Sequence, residues 1–320
     1  MKNLLFTSTL FLIVNFSFAQ TKIENDLTIK GNVSFFSESR YELVEKFGEI
    51  EKGSLYSKHT YKYDVKGNKI EQIIYNANGS LSSKTKSKYD EKGNMIEQII
   101  YNANGSLRYK ATYKYDVKGN KIEQIIYNAN GSLNLKDTYK YDEKGNKIEE
   151  NQYKANGSLS SKTKSKYDEK GNMIEKNQYN ADGSLSSKNT YKYDEKGNMI
   201  EENSYSKHTY KYDEKGNKIE ENWYNADGSL GDKATYKYDE KGNEIESIIY
   251  NADGSLNAES TSKYDEKGNM IEDSYYTPYG TMRYARTFKY EFDATGNWIK
   301  KTFINYGKPE QLIERVIKYY

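Results

Sequence analysis

The stretch Tyr63-Asp64-Val65-Lys66-Gly67-Asn68-Lys69-Ile70 decides the fold of this chain, because it encodes a tight turn between two strands. An aspartate at the first turn position can bond the backbone two residues on, and the next two residues suit a type I turn. Gly67 can then take the left-handed conformation that forms a G1 bulge. The stretch therefore predicts a β-hairpin whose three-residue loop is Val65 to Gly67.

This stretch recurs through most of the chain. Its tyrosine returns every 26 residues from Tyr63 to Tyr193, once after 19 residues at Tyr212, and at the 26-residue spacing thereafter. A second motif, Tyr-Asn-Ala-Asn/Asp-Gly-Ser-Leu, lies between successive copies, as in Tyr75 to Leu81, and it fits the same turn template. A degenerate copy, Thr277-Pro278-Tyr279-Gly280, places proline where its fixed φ favours a type I turn. The structural period is therefore about 13 residues, one strand and one turn.

A chain of such units predicts an all-β antiparallel meander of repeated hairpins. The sheet should be long, twisted and curled, either as an open superhelical sheet or as a roll. The repeats cover residues 56–271. Residues 20–55 are predicted to form an N-terminal capping segment and residues 272–320 degenerate C-terminal capping repeats. Both are more irregular and carry more large apolar residues, as expected of units that cover a sheet edge.

The predicted hairpin also assigns side chains to faces. Counting outwards from the turn places Tyr63 opposite Lys69, Lys62 opposite Ile70 and Tyr61 opposite Glu71, and Tyr75 falls opposite Leu81 across the next turn. One face is then predicted to collect Tyr61, Tyr63, Tyr75, Leu81 and the residue-69 position, which is Met95, Met173, Met199 or Met270 elsewhere. The other face is predicted to collect Ile70 and Ile74 among Lys62, Gln72 and Lys86.

The N-terminal residues predict a signal peptide. Lys2 precedes the apolar stretch Leu4 to Phe18, and Ser17-Phe18-Ala19 places small residues where a signal peptidase cleaves. We expect residues 1–19 to be removed before Gln20 and the protein to be exported to the periplasm, the cell surface or the medium. With no cysteine and no second apolar segment, disulfides, a lipid anchor and a transmembrane segment in the mature chain are not expected.

The amino-acid composition limits the classes of binding partner that we expect. The net charge is only +2, which gives no electrostatic case for nucleic acid. Mean hydropathy is −1.04, but 34 tyrosines supply large amphipathic surfaces that disordered chains lack. A folded chain with a thin core is therefore predicted.

The motifs Tyr-Asp-x-Lys-Gly-Asn-x-Ile and Tyr-Asn-Ala-Asp-Gly-Ser-Leu resemble the YD repeats of the Rhs family, from about Tyr61 to Asn297. Members of that family are surface or secreted β-sheet proteins, and the large ones wind the sheet into a shell around a toxin domain. This chain is too short for such a shell, and it carries neither a toxin domain nor the aspartate- and arginine-rich self-cleavage motif. The resemblance implies the β-architecture and the extracellular setting, and it leaves open an accessory or immunity role beside a polymorphic toxin.

Candidate chemistry is sparse, and we expect no catalytic site, no cofactor and no metal. The two histidines, His59 and His208, share the phrase Tyr-Ser-Lys-His-Thr-Tyr where a long turn is missing, which a gene deletion explains better than a functional notch. Turn carboxylates could bind calcium, but an interposed lysine such as Lys66 opposes it. Four sequons, from Asn78-Gly79-Ser80 to the copy at Asn156, are replaced by aspartate later in the chain, which a turn tolerates and a glycan acceptor does not.

The rows of tyrosine are the best functional lead. Aromatic rings on a sheet can hold sugar rings by apolar contact and hydroxyl hydrogen bonds, although the same tyrosines could simply form the core. The leading hypothesis is a non-enzymatic secreted or cell-surface scaffold that binds a surface glycan or another surface protein. The alternative is a carbohydrate-binding protein that uses the tyrosine face. The candidate ligand-contact residues are Tyr61, Tyr63, Tyr75, Tyr101, Tyr127 and Trp223.

Overall fold

A computed structural model describes residues 20–23 and 27–320, so the predicted signal peptide of residues 1–19 lies outside the described residues. Between turns, the described chain is built of β-strands, which confirms the all-β antiparallel meander. Within these residues no helix is long and apolar enough to cross a membrane. The strands are β1 (Gln20–Ile23), β2 (Leu27–Lys30), β3 (Val33–Lys46), β4 (Glu49–Tyr63), β5 (Lys69–Tyr75), β6 (Leu81–Tyr89), β7 (Met95–Asn102), β8 (Leu107–Tyr115), β9 (Lys121–Asn128), β10 (Leu133–Tyr141), β11 (Lys147–Lys154), β12 (Leu159–Tyr167), β13 (Met173–Asn180), β14 (Leu185–Tyr193), β15 (Met199–Asn203), β16 (Lys207–Tyr212), β17 (Lys218–Tyr224), β18 (Leu230–Tyr238), β19 (Glu244–Tyr250), β20 (Leu256–Tyr264), β21 (Met270–Tyr276), β22 (Met282–Phe292), β23 (Trp298–Asn305) and β24 (Lys308–Tyr319).

The turns have the predicted chemistry. The Gly67 amide donates to the Asp64 carbonyl at 2.9 Å, which closes the type I turn, and Gly67 has the left-handed φ of 82°. The Lys66 amide donates to Asp64 Oδ1 at 3.0 Å, the side-chain bond two residues on. Glycine at this position keeps φ between 82° and 88° in the other copies of the motif up to Gly268. The proline copy behaves alike, since the Gly280 amide donates to the Thr277 carbonyl.

The register beyond the turn differs from the prediction by one residue. Tyr63 lies opposite Lys69 and Tyr75 opposite Leu81, as predicted, but Lys62 pairs with Glu71 and not with Ile70. A β-bulge leaves Ile70 without a partner, and the same shift recurs in the later hairpins of this type. The predicted pairings of Lys62 with Ile70 and of Tyr61 with Glu71 are therefore wrong.

A one-residue shift moves every later side chain to the other face. Tyr61 and Tyr63 share their face with Gln72 and Ile74, whereas Tyr75 lies opposite Lys58 on the other face. The predicted grouping of Tyr75 and Leu81 with Tyr61 and Tyr63 is wrong for this reason, and so is the grouping of Ile74 and Gln72 with Lys62. We call the first surface the clasp face (Tyr61, Tyr63, Gln72, Ile74 and their repeats). The other is the ladder face (Lys62, Glu71, Ile73, Tyr75, Lys84 and their repeats).

The sheet closes on itself. Strands β3 to β24 follow one another in chain order, and β24 pairs antiparallel with β3, so that the 22 strands form a closed barrel in their hydrogen-bonding order. The predicted open sheet or roll is wrong on this point. Each of the two terminal segments supplies the edge that the other pairs with, and pairing removes both free edges. A separate two-stranded sheet is formed by β1 and β2.

The described chain divides into two compact units. One comprises Tyr139–Gln152 and Ser158–Thr287. The other comprises the described residues up to Thr138, Tyr153–Gly157 and Phe288–Tyr320. The second unit holds the main hydrophobic cluster, in which five buried residues pack with the partly buried Ile317 and Tyr319: Ile29, Val33, Phe36, Tyr61 and Tyr63.

Candidate binding surface

The turn motif connects successive repeats. Asp64 accepts the amides of Lys66 and Asn68, and the Asn68 side-chain amide donates to Asp64 Oδ2 at 2.9 Å. The Lys66 ammonium then reaches the Glu91 carbonyl in the next turn of the same type at 3.0 Å. Equivalent contacts join Lys144 to Glu169, Lys170 to Glu195, Lys196 to Glu214, Lys215 to Glu240 and Lys241 to Glu266. Each polar residue of the motif therefore has a structural role.

The tyrosine of the motif connects repeats in the opposite direction. The Tyr115 hydroxyl donates to the Met95 carbonyl, one repeat back, at 2.8 Å. The same bond is made by Tyr89, Tyr167, Tyr193, Tyr212 and Tyr238, at 2.7 to 2.9 Å. Burial raises the pKa of the Tyr89, Tyr167 and Tyr212 hydroxyls, and it raises the pKa to about 12 for Tyr193 and Tyr238. These rings hold adjacent repeats in register, and we call them the clasp tyrosines.

The clasp face is packed around Tyr61 and Tyr63. Tyr61 and Tyr63 are only 4% and 3% exposed, which leaves their rings no room for a ligand. Farther along this face, lysine ammonium groups lie over tyrosine rings, as Lys121 over Tyr113 at 5.6 Å. Such contacts stabilise each pair by about 0.5–1 kcal/mol at exposed sites. Of the candidate ligand-contact residues, Tyr61 and Tyr63 therefore belong to the core.

The ladder face carries a regular array of ion pairs. In seven successive repeats, from Glu71 to Glu220, one glutamate on the second strand of the motif hairpin is bonded by lysines of both flanking strands, with N–O distances of 2.6 to 3.1 Å. Each triad of two lysines and one glutamate has a net charge of +1. The triads are Lys62–Glu71–Lys84, Lys88–Glu97–Lys110, Lys114–Glu123–Lys136, Lys140–Glu149–Lys162, Lys166–Glu175–Lys188, Lys192–Glu201–Lys207 and Lys211–Glu220–Lys233.

These triads make the protein acid-sensitive. The Asn151 amide and the Lys140 ammonium lower the pKa of Glu149 to about 2, and the flanking lysines lower that of Glu220 to the same value. A carboxyl whose pKa is lower in the folded state contributes stability above its ordinary pKa of 4.5, and that contribution is lost as the pH falls towards 2. We expect the melting temperature to fall across this window, measured by circular dichroism. Glu149→Gln and Glu220→Gln together should flatten the dependence, and an unchanged melting temperature across the window would contradict it.

Tyr75, Tyr101 and Tyr127 lie half-buried on the ladder face. Tyr127 forms one wall of a shallow groove of about 360 Å3. The groove is lined by Leu107, Lys110 and Thr112 of β8 and by Tyr127, Asn128, Ala129 and Gly131 of β9 and its turn. It combines an aromatic ring, an aliphatic side chain, an ammonium group and an amide.

Trp223 lies on the clasp face of β17, where other repeats have Ile74 or Gln152. It pairs directly with His208, and the two rings contact edge to face at a centroid distance of 6.2 Å. The structure thus brings together two residues that the sequence indicated separately. His59, the other histidine, lies against the Tyr61 hydroxyl at 3.3 Å.

The turn residues considered for calcium bond to one another. No group of three or more histidine, aspartate or glutamate side chains that could hold a metal ion is present within residues 20–23 and 27–320. The sequon asparagine Asn78 accepts the Ser80 amide and hydroxyl, and Asp182 accepts the same bonds from Ser184 in its repeat. The asparagine and the aspartate of this turn are structurally equivalent.

Comparison with known proteins identifies no family. No family model matches the sequence, and no curated protein matches it. Among solved structures, the chain is similar to two crystal structures of TcdB2-TccC3, at 13% identity and TM-scores of 0.33 and 0.34 over 85% and 80% of its length. It spans about a fifth of those chains. It is also similar to a porin-like protein from Bacteroides uniformis, at 13% identity and a TM-score of 0.30, over 89% of this chain and 96% of that one. Function is therefore inferred from the residues themselves.

Proposed function

We propose that this protein is an exported, non-catalytic β-repeat scaffold that binds its partner through the ladder face. The observation that carries this proposal is the use of the repeated polar side chains to hold one repeat on the next. The turn aspartates, asparagines and lysines and the clasp tyrosines all bond to backbone or to neighbouring turns. Such contacts hold the repeats in register and keep the surface regular, as expected of a scaffold.

Each of the two histidines contacts a hydroxyl group. His59 contacts the Tyr61 hydroxyl, and His208 contacts the Ser206 hydroxyl at 2.9 Å and Glu221 at 3.9 Å. A hydrolytic dyad needs a histidine beside a nucleophile and a third group that orients it. Ser206 and Glu221 contact opposite ring nitrogens of His208, and our proposal gives this arrangement no catalytic role.

A carbohydrate is the ligand that the groove beside Tyr127 favours. A pyranose ring offers a C–H face to an aromatic ring and hydroxyls to surrounding polar groups. Tyr127 supplies the ring, while Lys110 and Asn128 supply polar groups at the rim. The preceding repeat has Tyr101, Lys84 and Asn102 at the corresponding positions, so that an oligosaccharide could be bound by successive repeats.

We expect the double substitution Tyr101→Ala and Tyr127→Ala to weaken binding of the purified chain to immobilised glycans by at least about tenfold. Removing an aromatic platform forfeits both apolar contact and stacking, which together exceed the roughly 1.4 kcal/mol that a tenfold change requires. The measurement is a glycan array followed by titration of the glycans that bind.

Tyr279→Ala is the matched control, because that ring is 92% exposed and does not line the groove. An array without binding, together with loss of binding to intact bacterial surfaces in the double variant, would assign the ladder face to a protein partner. If neither kind of binding responds to the double variant, the proposal that the ladder face binds is wrong.

A further inference from the structure

The shortened hairpin formed by β15 and β16 differs from the rest of the array. These strands have five and six residues, whereas β13 and β14 before them have eight and nine. The connecting bend is closed by the Ser204 amide and the Ser206 carbonyl at 3.1 Å, and Tyr205 beside it is 88% exposed. The motif turns stay connected across this place, because Lys196 still reaches the Glu214 carbonyl. What is missing is only the opposite turn, and β17 still pairs with β16 from Lys218 to Tyr224.

Three other departures from the repeat coincide there. Trp223 stands where most other repeats have isoleucine or glutamine, and its partner across the shortened strand is His208. On the other side of β17, Gly231 occupies a position that is Arg108, Asn134 or Ser186 elsewhere. A Cβ at Gly231 would lie 3.2 Å from the Trp223 carbonyl, so the strand passes close and without a side chain. These departures together distinguish the surroundings of Trp223 from the corresponding positions of the other repeats.

The groups around Trp223 suit a hydroxylated ring. Trp223 is half-buried, and its indole N–H makes no hydrogen bond among the residues that the structure describes. Glu221, on the same face, is held by Lys218 at 2.5 Å and by the Tyr236 hydroxyl at 3.3 Å. Asp232 is exposed, and strand alternation places it on the face of Ala234, which pairs with Glu221.

We propose that Trp223, His208 and Asp232 form a subsite for one pyranose ring of a carbohydrate. The indole packs against the C–H face of the sugar and its N–H donates to a ring hydroxyl, while the Asp232 carboxylate accepts from another hydroxyl. His208 supports the indole edge to face and keeps its orientation. This subsite lies on the clasp face, apart from the groove at Tyr127, and it does not depend on ligand binding by the ladder face.

A second position in the chain serves as a control for this site. The phrase Tyr-Ser-Lys-His-Thr-Tyr occurs twice, and His59 pairs with Ile74 as His208 pairs with Trp223. Around Ile74, however, Gln72 replaces Glu221 and Ser83 replaces Asp232. The variant Ile74→Trp therefore places an indole opposite a histidine without the surrounding carboxylates.

The experiment uses the full chain labelled with fluorotryptophan. Because the chain has only two tryptophans, fluorine NMR gives one signal for Trp223 and one for Trp298, assigned with Trp223→Phe. On titration with cellohexaose, maltohexaose and chitohexaose, we expect at least one sugar to shift the Trp223 signal saturably and to leave the Trp298 signal unchanged. Asp232→Asn should raise the dissociation constant by about tenfold, the effect of weakening one charge-assisted hydrogen bond.

Three outcomes would overturn this inference. The first is a Trp223 signal that none of these sugars shifts. The second is a shift with tetramethylammonium chloride alone, which would make the site a cation site. The third is an equal response of the added indole in Ile74→Trp, which would show binding to any exposed tryptophan. Loss of glycan binding at Tyr101 and Tyr127 with a persistent Trp223 response would separate this site from the ladder face.

Discussion

Raising the pH above the ordinary tyrosine pKa of 10 is expected to unfold this protein cooperatively. Burial raises the pKa of clasp tyrosines on many strands, to about 12 for Tyr193 and Tyr238. A tyrosine whose pKa is raised in the folded state contributes its full stability below pH 10. That contribution is lost as the pH rises towards 12, because the unfolded chain ionises its tyrosines first.

The repeat makes this effect large. Each tyrosine that ionises only in the unfolded chain lowers the free energy of unfolding by about 1.4 kcal/mol per pH unit. Several such tyrosines acting together weaken the fold over a narrow pH range, with each of these partly exposed rings contributing less than that upper value because solvent screens it. Tyr89, Tyr167, Tyr212 and Tyr264 have raised pKa values for the same reason, desolvation by burial.

Tyrosinate absorbance and far-ultraviolet circular dichroism should therefore change together in an alkaline titration. The variant Tyr193→Phe with Tyr238→Phe tests the cause, since phenylalanine cannot ionise. It should be less stable at neutral pH by about 1 kcal/mol for each lost hydroxyl bond, and its alkaline transition should be less steep. Tyrosine ionisation at the ordinary pKa, with the β signal unchanged, would show that the clasp hydroxyls are not buried.

The turns could be predicted from the sequence because their determinants are local. Asp64, Gly67 and Asn68 lie within five residues of one another, and the aspartate bonds and the left-handed glycine both depend only on that segment. The pairing of Tyr63 with Lys69 follows from the turn alone and was predicted correctly.

The bulge at Ile70 could not be derived from turn chemistry, because its extra residue is isoleucine and not the glycine that marks a left-handed turn position. A signal was nevertheless present in the sequence. The predicted register faced Lys62 with Ile70, whereas a shift of one residue faces it with Glu71 and forms an ion pair at 3.0 Å. Opposite charges directly across a strand pair favour that register in every repeat. This signal would also have predicted that Tyr75 lies on the ladder face and that His208 faces Trp223.

Closure of the sheet depends on contacts that no local pattern predicts. The partners Ser37 and Val316 are far apart in sequence. Bringing them together costs loop-closure entropy, and only the completed strand pairing offsets that cost. The excess of apolar residues in both terminal segments was visible, but it is equally consistent with two separate caps. The structure pairs them, with Glu38 directly opposite Arg315.

The substitution Glu38→Ala is expected to lower the free energy of unfolding by about 3–5 kcal/mol, because it leaves a buried guanidinium without its counter-charge. The Arg315 side chain is only 5% exposed, and its Nε and Nη2 donate to Glu38 Oε2 at 3.1 and 3.0 Å. Its guanidinium also lies over the Trp298 ring at 3.1 Å. Desolvation lowers the pKa of Arg315 to about 10, which is the electrostatic cost that Glu38 partly offsets.

Arg40 provides the matched control for the pairing of β3 with β24. Its guanidinium bonds the other oxygen of Glu38 at 3.1 Å but is 48% exposed, so Arg40→Ala should cost no more than about 1 kcal/mol in urea denaturation. The double substitution Glu38→Leu with Arg315→Met should recover most of the stability lost in Glu38→Ala, since no buried charge is left unpaired. If Glu38→Ala and Arg40→Ala lower the free energy of unfolding by the same amount, the Glu38–Arg315 ion pair does not hold β3 to β24. The backbone hydrogen bonds and the packing of Phe36 against Tyr61 would then have to account for closure.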